Sequence, residues 1–271
     1  MKMALIQMSV TADKRANVSH ACELIARAGT EGADMVVLPE MFCCAYENAA
    51  FAANAEPKGG FVYEALAGAA RENRLYVVGG SMPESDGGRL YNTSFVFAPD
   101  GSEIARHRKV HLFDINVEGG QRFCESDTFS PGGSLTLFDT PFGRFGLCIC
   151  FDIRFQEIFR LMALEGAQAV IVPAAFNMTT GPAHWELLFR QRAVDSQLYT
   201  VGVSAARDES ASYVAYGNSI ACDPWGRVLC RADAGEEILF FEPDFDYVAS
   251  IRRQLPILSA RREDLYELKR K

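Results

Sequence analysis

A chain of 271 residues, 49% of them hydrophobic, carries enough apolar material for one large core. Its 27 Lys and Arg against 35 Asp and Glu give a formal charge of -8, which repels a phosphate backbone and argues against nucleic acid as a partner. The opening apolar stretch is too short to span a membrane and runs into polar residues without a small-residue cleavage site, so a soluble, cytoplasmic protein with no membrane partner is expected.

"KMALIQMSV" reads as a buried strand, "NVSHACELIARAGTEG" as an amphipathic helix, and "ADMVVLPE" as a second buried strand ending in a carboxylate. "GFVYEALAGAARENR" repeats the helical period, and "LYVVGGSMPE" and "LYNTSFVFAPDG" read as strands. Pro99, Asp100 and Gly101 supply a hairpin turn before "EIARHRKVHLF". "GRFGLCICF" is a further strand, "IRFQEIFRLMALEG" a helix closed by Gly166, and "AQAVIVPAAF" a strand, which together make a second βαβ unit. The next helix, "GPAHWELLFRQRAVDSQ", has Thr180 at its N-cap and Pro182 in its first turn. "LYTVGVSAA", "SYVAYGNSIACDPWG" and "EEILFFEPD" return to strands. Helices alternating with buried strands predict an α/β fold of two packed sheets covered on their outer faces, in a single domain over 1–271. Residues 245–271 alternate apolar and basic residues, and Val248, Ile251, Leu255, Ile257 and Leu258 are expected to find their cover on another subunit.

The eight cysteines contain no CxxC pair, in a chain much larger than disulfide-dependent secreted domains, so reduced thiols are expected. With four histidines and no ligand spacing, neither a metal nor a cofactor is assigned.

Binding residues of α/β folds gather at the carboxyl ends of strands. There the sequence offers Glu40, Lys109 and Cys150, and a carboxylate, an ammonium and a thiol suffice for acyl transfer. Each has a plainer reading: Cys150 as a small core residue beside Cys148, Glu40 as a turn cap, Lys109 as part of a solvated basic face. His107, His111 and His184 are available as the base of a Cys-His arrangement.

"LPEMF", "HRKVHLFD" and "GLCICFDIRFQE" resemble, in order, the three signature segments of the nitrilase superfamily of carbon-nitrogen hydrolases. The resemblance implies a four-layer α-β-β-α sandwich, with Glu40 as general base, Lys109 on the tetrahedral intermediate and Cys150, rather than Cys148, as nucleophile at a strand-to-helix elbow with its thiol exposed. "FCESDTFSPGG" resembles the segment carrying a further active-site Glu, here Glu125; its plainer reading is a loop acid in a turn. "FNMTTGPAHWELLFRQRAVDSQLY", "ARDESASYVAYGNS" and "DPWGRVL" look like the omega-amidase branch, and the likeness runs from residue 2 to about residue 268. That branch hydrolyses the terminal amide of 2-oxoglutaramate and 2-oxosuccinamate, and the family resemblance also implies a homodimer or larger. Departures are Phe151 for the usual Tyr, Gln156 for Pro or Ala, and Cys43-Cys44 for Asn-Ser.

In this reading Glu40 moves the proton, while Lys109 and the Phe151 N–H hold the oxyanion. A helix starting after Asp152 turns its N–H groups toward the sulfur. Related amidases that take carboxylated substrates use an Arg where this chain has Arg154 and an Asn where it has Asn177; a salt bridge from Arg154 to Asp152 or Glu157 is the structural alternative. Tyr46 and Thr180 complete the candidate lining of a pocket for a small amide. Two rivals remain: a nitrilase on the same scaffold, and a non-catalytic redox or interaction protein with the cysteines as oxidation sites.

Overall fold

All five residues of Met3–Gln7 are buried, and alternate side chains enter different cores. Met3 and Leu5 join one apolar cluster, Ala4 and Ile6 another. A strand apolar on both faces must be covered on both, and this requirement sets the layering. The computed structural model, which describes residues 1–270, has two main sheets. The first runs in spatial order Glu237–Phe241, Met3–Gln7, Met35–Val37, Tyr76–Val78, Arg89–Phe97, Met82–Asp86, with Glu103–Arg108 also paired to Arg89–Phe97. The second runs Val228–Arg231, Ile220–Cys222, Tyr199–Ser204, Ala169–Ala174, Gly143–Leu147, Thr136–Thr140. Each has a parallel centre, Met3–Gln7 with Met35–Val37 and Tyr76–Val78 in one, Gly143–Leu147 with Ala169–Ala174 and Tyr199–Ser204 in the other.

Three apolar clusters separate four layers. Met35, Val37 and Val78 of the first sheet meet Phe145, Leu147, Ile171 and Val201 of the second in the inter-sheet core. Helices Lys14–Thr30 and Phe61–Asn73 cover the first sheet, and Gln156–Leu164 and Gly181–Ser196 cover the second. The Asp13 carboxylate caps the first helix by accepting from the Arg15 and Ala16 N–H groups. The α-β-β-α sandwich expected from the sequence is therefore present.

Several elements differ from expectation. The strand predicted over 75–84 is broken into Tyr76–Val78 and Met82–Asp86, because the chain turns at Gly80 (φ +55°), where a Cβ would stand 2.1 Å from the Pro39 carbonyl oxygen. The strand predicted to carry Cys150 at its end stops at Leu147, and Cys150–Arg154 form a 3-10 turn followed by the helix Gln156–Leu164. Thr180 does sit at the N-cap of Gly181–Ser196, but its side chain makes no capping bond there. The long strand expected over 212–226 is regular only at Ile220–Cys222. The helix Asn48–Asn54 and the strand Thr136–Thr140 were not foreseen.

The C-terminal segment needs correction. Phe245–Gln254 is a helix capped by Asp244, and Val248 and Ile251 are buried within the same chain, so these two side chains need no cover from a second subunit. Leu255 stays exposed, and Lys271 lies outside the described residues. Among the described residues no helix is long and apolar enough to cross a membrane.

Candidate active site

Glu40 follows Met35–Val37 by three residues, Lys109 directly follows Glu103–Arg108, and Cys150 follows Gly143–Leu147 by three. The two sheets thus bring a carboxylate and an ammonium from one side of the inter-sheet core to a thiol from the other. Both exits are strained: Met41 has φ +52° and Cys150 φ +45°, a left-handed conformation that costs a non-glycine residue about 1–2 kcal/mol. Hydrogen bonding holds them there. The Met41 N–H donates to Ser81 Oγ at 3.1 Å, and the Asp152 N–H donates to the Ile149 carbonyl at 3.0 Å across Cys150.

Lys109 Nζ stands 2.9 Å from Glu40 Oε1 and 2.8 Å from Glu125 Oε2, with all three side chains fully buried. Asn92 Nδ2 donates to both carboxylates, at 2.8 Å to Glu40 Oε1 and 2.9 Å to Glu125 Oε1. The Phe113 N–H donates to Glu125 Oε2 at 2.6 Å, and the Tyr46 hydroxyl to Glu40 Oε1 at 3.5 Å. Glu40 Oε1 therefore receives three donors, whereas Glu40 Oε2 is buried with no hydrogen-bond partner.

Burial pushes the Glu40 carboxyl above the usual carboxylate range, against the pull of Lys109, with Glu125 adding to the rise. Burial works to discharge Lys109 as well, but Glu125 and Glu40 together hold its pKa well above the ordinary value. Cys150 is 3% exposed, which corrects the expectation of an exposed thiol. Burial and then the Glu40 charge push its pKa well up, while Lys109 and the Ala175 N–H act in the opposite direction.

Beside Glu40 lies a cavity of about 250 Å³ walled by Tyr46, Ala175 and Tyr213 among others. Tyr46 and Tyr213 overlap with ring centroids 4.3 Å apart, and the Tyr213 hydroxyl donates to the Ala175 carbonyl at 2.5 Å. Ser212 donates to Glu47, tying the segment before Tyr213 to the loop after Tyr46.

The structure gathers Glu40, Lys109, Glu125, Tyr46 and Cys150. Arg154 stands on the Cys150 turn with its guanidinium 5.5 Å from the Phe151 ring and 5.0 Å from the Phe176 ring. Its Nη1 meets His184 Nδ1 at 3.2 Å, its Nε is buried without a partner, and among the described residues no carboxylate pairs with it. Asp152 instead faces His107 and His111, so the alternative salt bridge is absent and these two histidines are turned away from a Cys-His role. Asn177 donates to Gln121 Oε1 and accepts from the Thr180 N–H and hydroxyl, and the cavity lining includes neither these two residues nor Lys109, Cys150 or Arg154. Sequence reasoning missed Asn92 and Tyr213. A buried Asn in the middle of a β-branched and aromatic strand was the one available signal for the first.

The sandwich, with its charged cluster buried where the two sheets end, belongs to the class of amide-hydrolysing enzymes. The chain belongs to the carbon-nitrogen hydrolase family, whose sequence model matches residues 2–253, and within the nitrilase superfamily to its omega-amidase branch. It is 50% identical over 270 residues to omega-amidase NIT2 of Bos taurus, covering 100% of this chain and 98% of that protein. Against omega-amidase NIT2 of Homo sapiens the identity is 48% over 270 residues, with the same coverage. The crystal structure of Saccharomyces cerevisiae Nit3, a member of branch 10 of the nitrilase superfamily, superposes with a TM-score of 0.89 at 41% identity, over 97% of this chain and 96% of that one.

Proposed function

We propose that the protein is an omega-amidase that hydrolyses the terminal amide of short 2-oxo dicarboxylic acid monoamides, 2-oxoglutaramate and 2-oxosuccinamate among them, through a thioester on Cys150. The observation that carries the hydrolytic part is the free Glu40 Oε2, a buried acceptor whose companion oxygen is already occupied by Lys109, Asn92 and Tyr46. Glu40 takes the Cys150 thiol proton as the sulfur attacks the amide carbonyl. The oxyanion is held by Lys109 and by the Phe151 N–H, which as an early residue of the 3-10 turn has no intrahelical partner. On collapse the C–N bond breaks, and Glu40 returns the proton to the departing ammonia. Water then attacks the thioester, Glu40 receives its proton, and the sulfur leaves as a thiol again. Glu125 keeps Lys109 aimed and charged.

Arg154 supports the acidic half of the specificity. A desolvated guanidinium with an unpartnered Nε and no carboxylate of its own is matched to the carboxylate of a substrate. Arg154→Lys keeps the charge but loses the planar fork, and Arg154→Ala leaves the substrate anion uncompensated at about 3–5 kcal/mol, on the order of a thousandfold in kcat/KM for 2-oxoglutaramate. A neutral amide is a poor substrate for the unaltered enzyme and is little affected by either change. Ammonia release from a panel of acidic and neutral amides and nitriles checks this: equal losses on acidic and neutral amides would assign Arg154 to holding the turn.

Strands from both halves of the chain build one inter-sheet core, which supports a single domain over 1–271 with 245–271 as an arm. Leu187, Val194 and Trp225 are exposed around the helix Gly181–Ser196, an apolar surface that favours a homodimer; a monomer mass in light scattering refutes it. Eight unpaired cysteines suit the reducing cytoplasm.

A further inference from the structure

Asp152 is fully buried two residues after Cys150, and four donors surround its carboxylate. Oδ2 accepts from the Ile149 N–H at 3.0 Å and meets His107 Nε2 at 3.1 Å. Oδ1 accepts from the His111 N–H at 2.9 Å and meets His111 Nδ1 at 2.8 Å. An ionised carboxylate has about four acceptor sites, and here all are used. Burial alone would raise its pKa, but the histidine bonds outweigh this and hold it well below the ordinary carboxylate range. For both rings to donate, His107 carries hydrogen on Nε2 and His111 on Nδ1; His107 Nδ1 meets Thr136 Oγ1 at 3.0 Å.

The chain positions of these partners matter. Ile149 immediately precedes Cys150, while His107 and His111 lie two residues to either side of Lys109. Closing the 3-10 turn would need only the bond to Ile149. The other oxygen is committed to His111, 41 residues away in sequence. We propose that Asp152 is a positioning residue that clips the loop carrying Lys109 to the turn carrying Cys150, fixing the separation of oxyanion cation and nucleophile across the seam between the sheets. This rests on the roles proposed above for Lys109 and Cys150.

Asp152→Asn presents an N–H edge where two donors now converge, so one side of the clip opens. A displacement of about 1 Å between reacting groups is worth on the order of a hundredfold in kcat, with KM within about threefold because the substrate contacts are untouched. His111 is half-buried with its ring stacked on Phe155 at 3.6 Å, and it tolerates replacement better. His111→Ala is expected to lower kcat about tenfold, and His111→Asn, whose amide N–H falls close to the position of Nδ1–H, to recover to within about threefold of the unaltered enzyme. Steady-state kinetics on 2-oxoglutaramate with melting temperatures for each variant test this. A folded Asp152→Asn enzyme of unchanged Tm and unchanged kcat overturns the clip. So does a His111→Asn enzyme no better than His111→Ala, which would assign His111 to stacking alone. If Asp152→Asn fails to fold, the two His111 variants decide. Cys150→Ala separates the layers: an active variant sinks the proposed function, whereas an inactive one beside unimpaired Asp152 and His111 variants sinks only the clip.

Discussion

Cys150→Ala is expected to abolish amide hydrolysis, with a loss on the order of 10⁴-fold or more, since no other group in the cluster can form the acyl bond. Cys148→Ala, two residues earlier, is expected to keep most of the activity. The two thiols differ in what surrounds them. Cys148 points into the core between the second sheet and its helices, with Sγ 4.0 Å from Met162 Sδ, and burial pushes its pKa up with Asp152 adding to the rise. Cys150 lies beyond the strand, close enough to Glu40, Lys109 and the Ala175 N–H for each to perturb it. Removing the Cys148 sulfur costs about 1–2 kcal/mol of stability through the small void it leaves, without touching the cluster. Ammonia release, together with mass spectrometry of the trapped acyl-enzyme, checks both variants. An acyl adduct on Cys148, or full turnover without Cys150, would move the nucleophile.

Lys109→Met is expected to lower kcat about a thousandfold and to move the acid limb of kcat/KM to higher pH. The rate loss follows from removing the charge that meets the oxyanion. The pH effect follows from the carboxylates left behind. Glu40 must be ionised to accept the thiol proton, so activity falls as pH drops through its pKa. Burial already raises that pKa, Lys109 opposes the rise, and Glu125 reinforces it. Without the ammonium the largest lowering influence on Glu40 is gone, while burial and the neighbouring Glu125 remain to raise it. Protonation of Glu40 then reaches further up the pH scale. Rate profiles from acid to neutral pH on both enzymes test this; a near-normal kcat with an unmoved limb would leave Lys109 a purely structural counter-ion.

The layering was legible in the sequence because strands such as Met3–Gln7 and Ala169–Ala174 are apolar on both faces, which leaves them no choice but to be covered twice. Glu40, Lys109 and Cys150 stood out as ionisable groups following apolar runs, although Cys150 was separated from Cys148 only by resemblance to the family. What periodicity could not report is where the backbone leaves its regular path. Cys150 sits three residues beyond the strand end in a left-handed conformation, because Asp152 closes a turn that apolar patterning does not register. Asn92 is an unusual residue for a strand interior, but nothing near it in sequence names its two acceptors, which arrive from 52 and 33 positions away. Tyr213 lies in a stretch of small and polar residues with nothing to mark it as a cavity wall.

The paired tyrosines have a consequence for what can reach the cluster at all. The cavity they help to wall, about 250 Å³, is small. A free five-carbon amide comes to an end within such a space. A glutamine in a polypeptide presents the same terminal amide, but its main chain continues in both directions and has to pass Tyr46, Tyr213 and the Glu47–Ser212 tie. On the proposed reading, the enzyme thus sorts amides by where the molecule stops as much as by the group at its tip, and cellular protein is kept out of reach of a strong acyl acceptor.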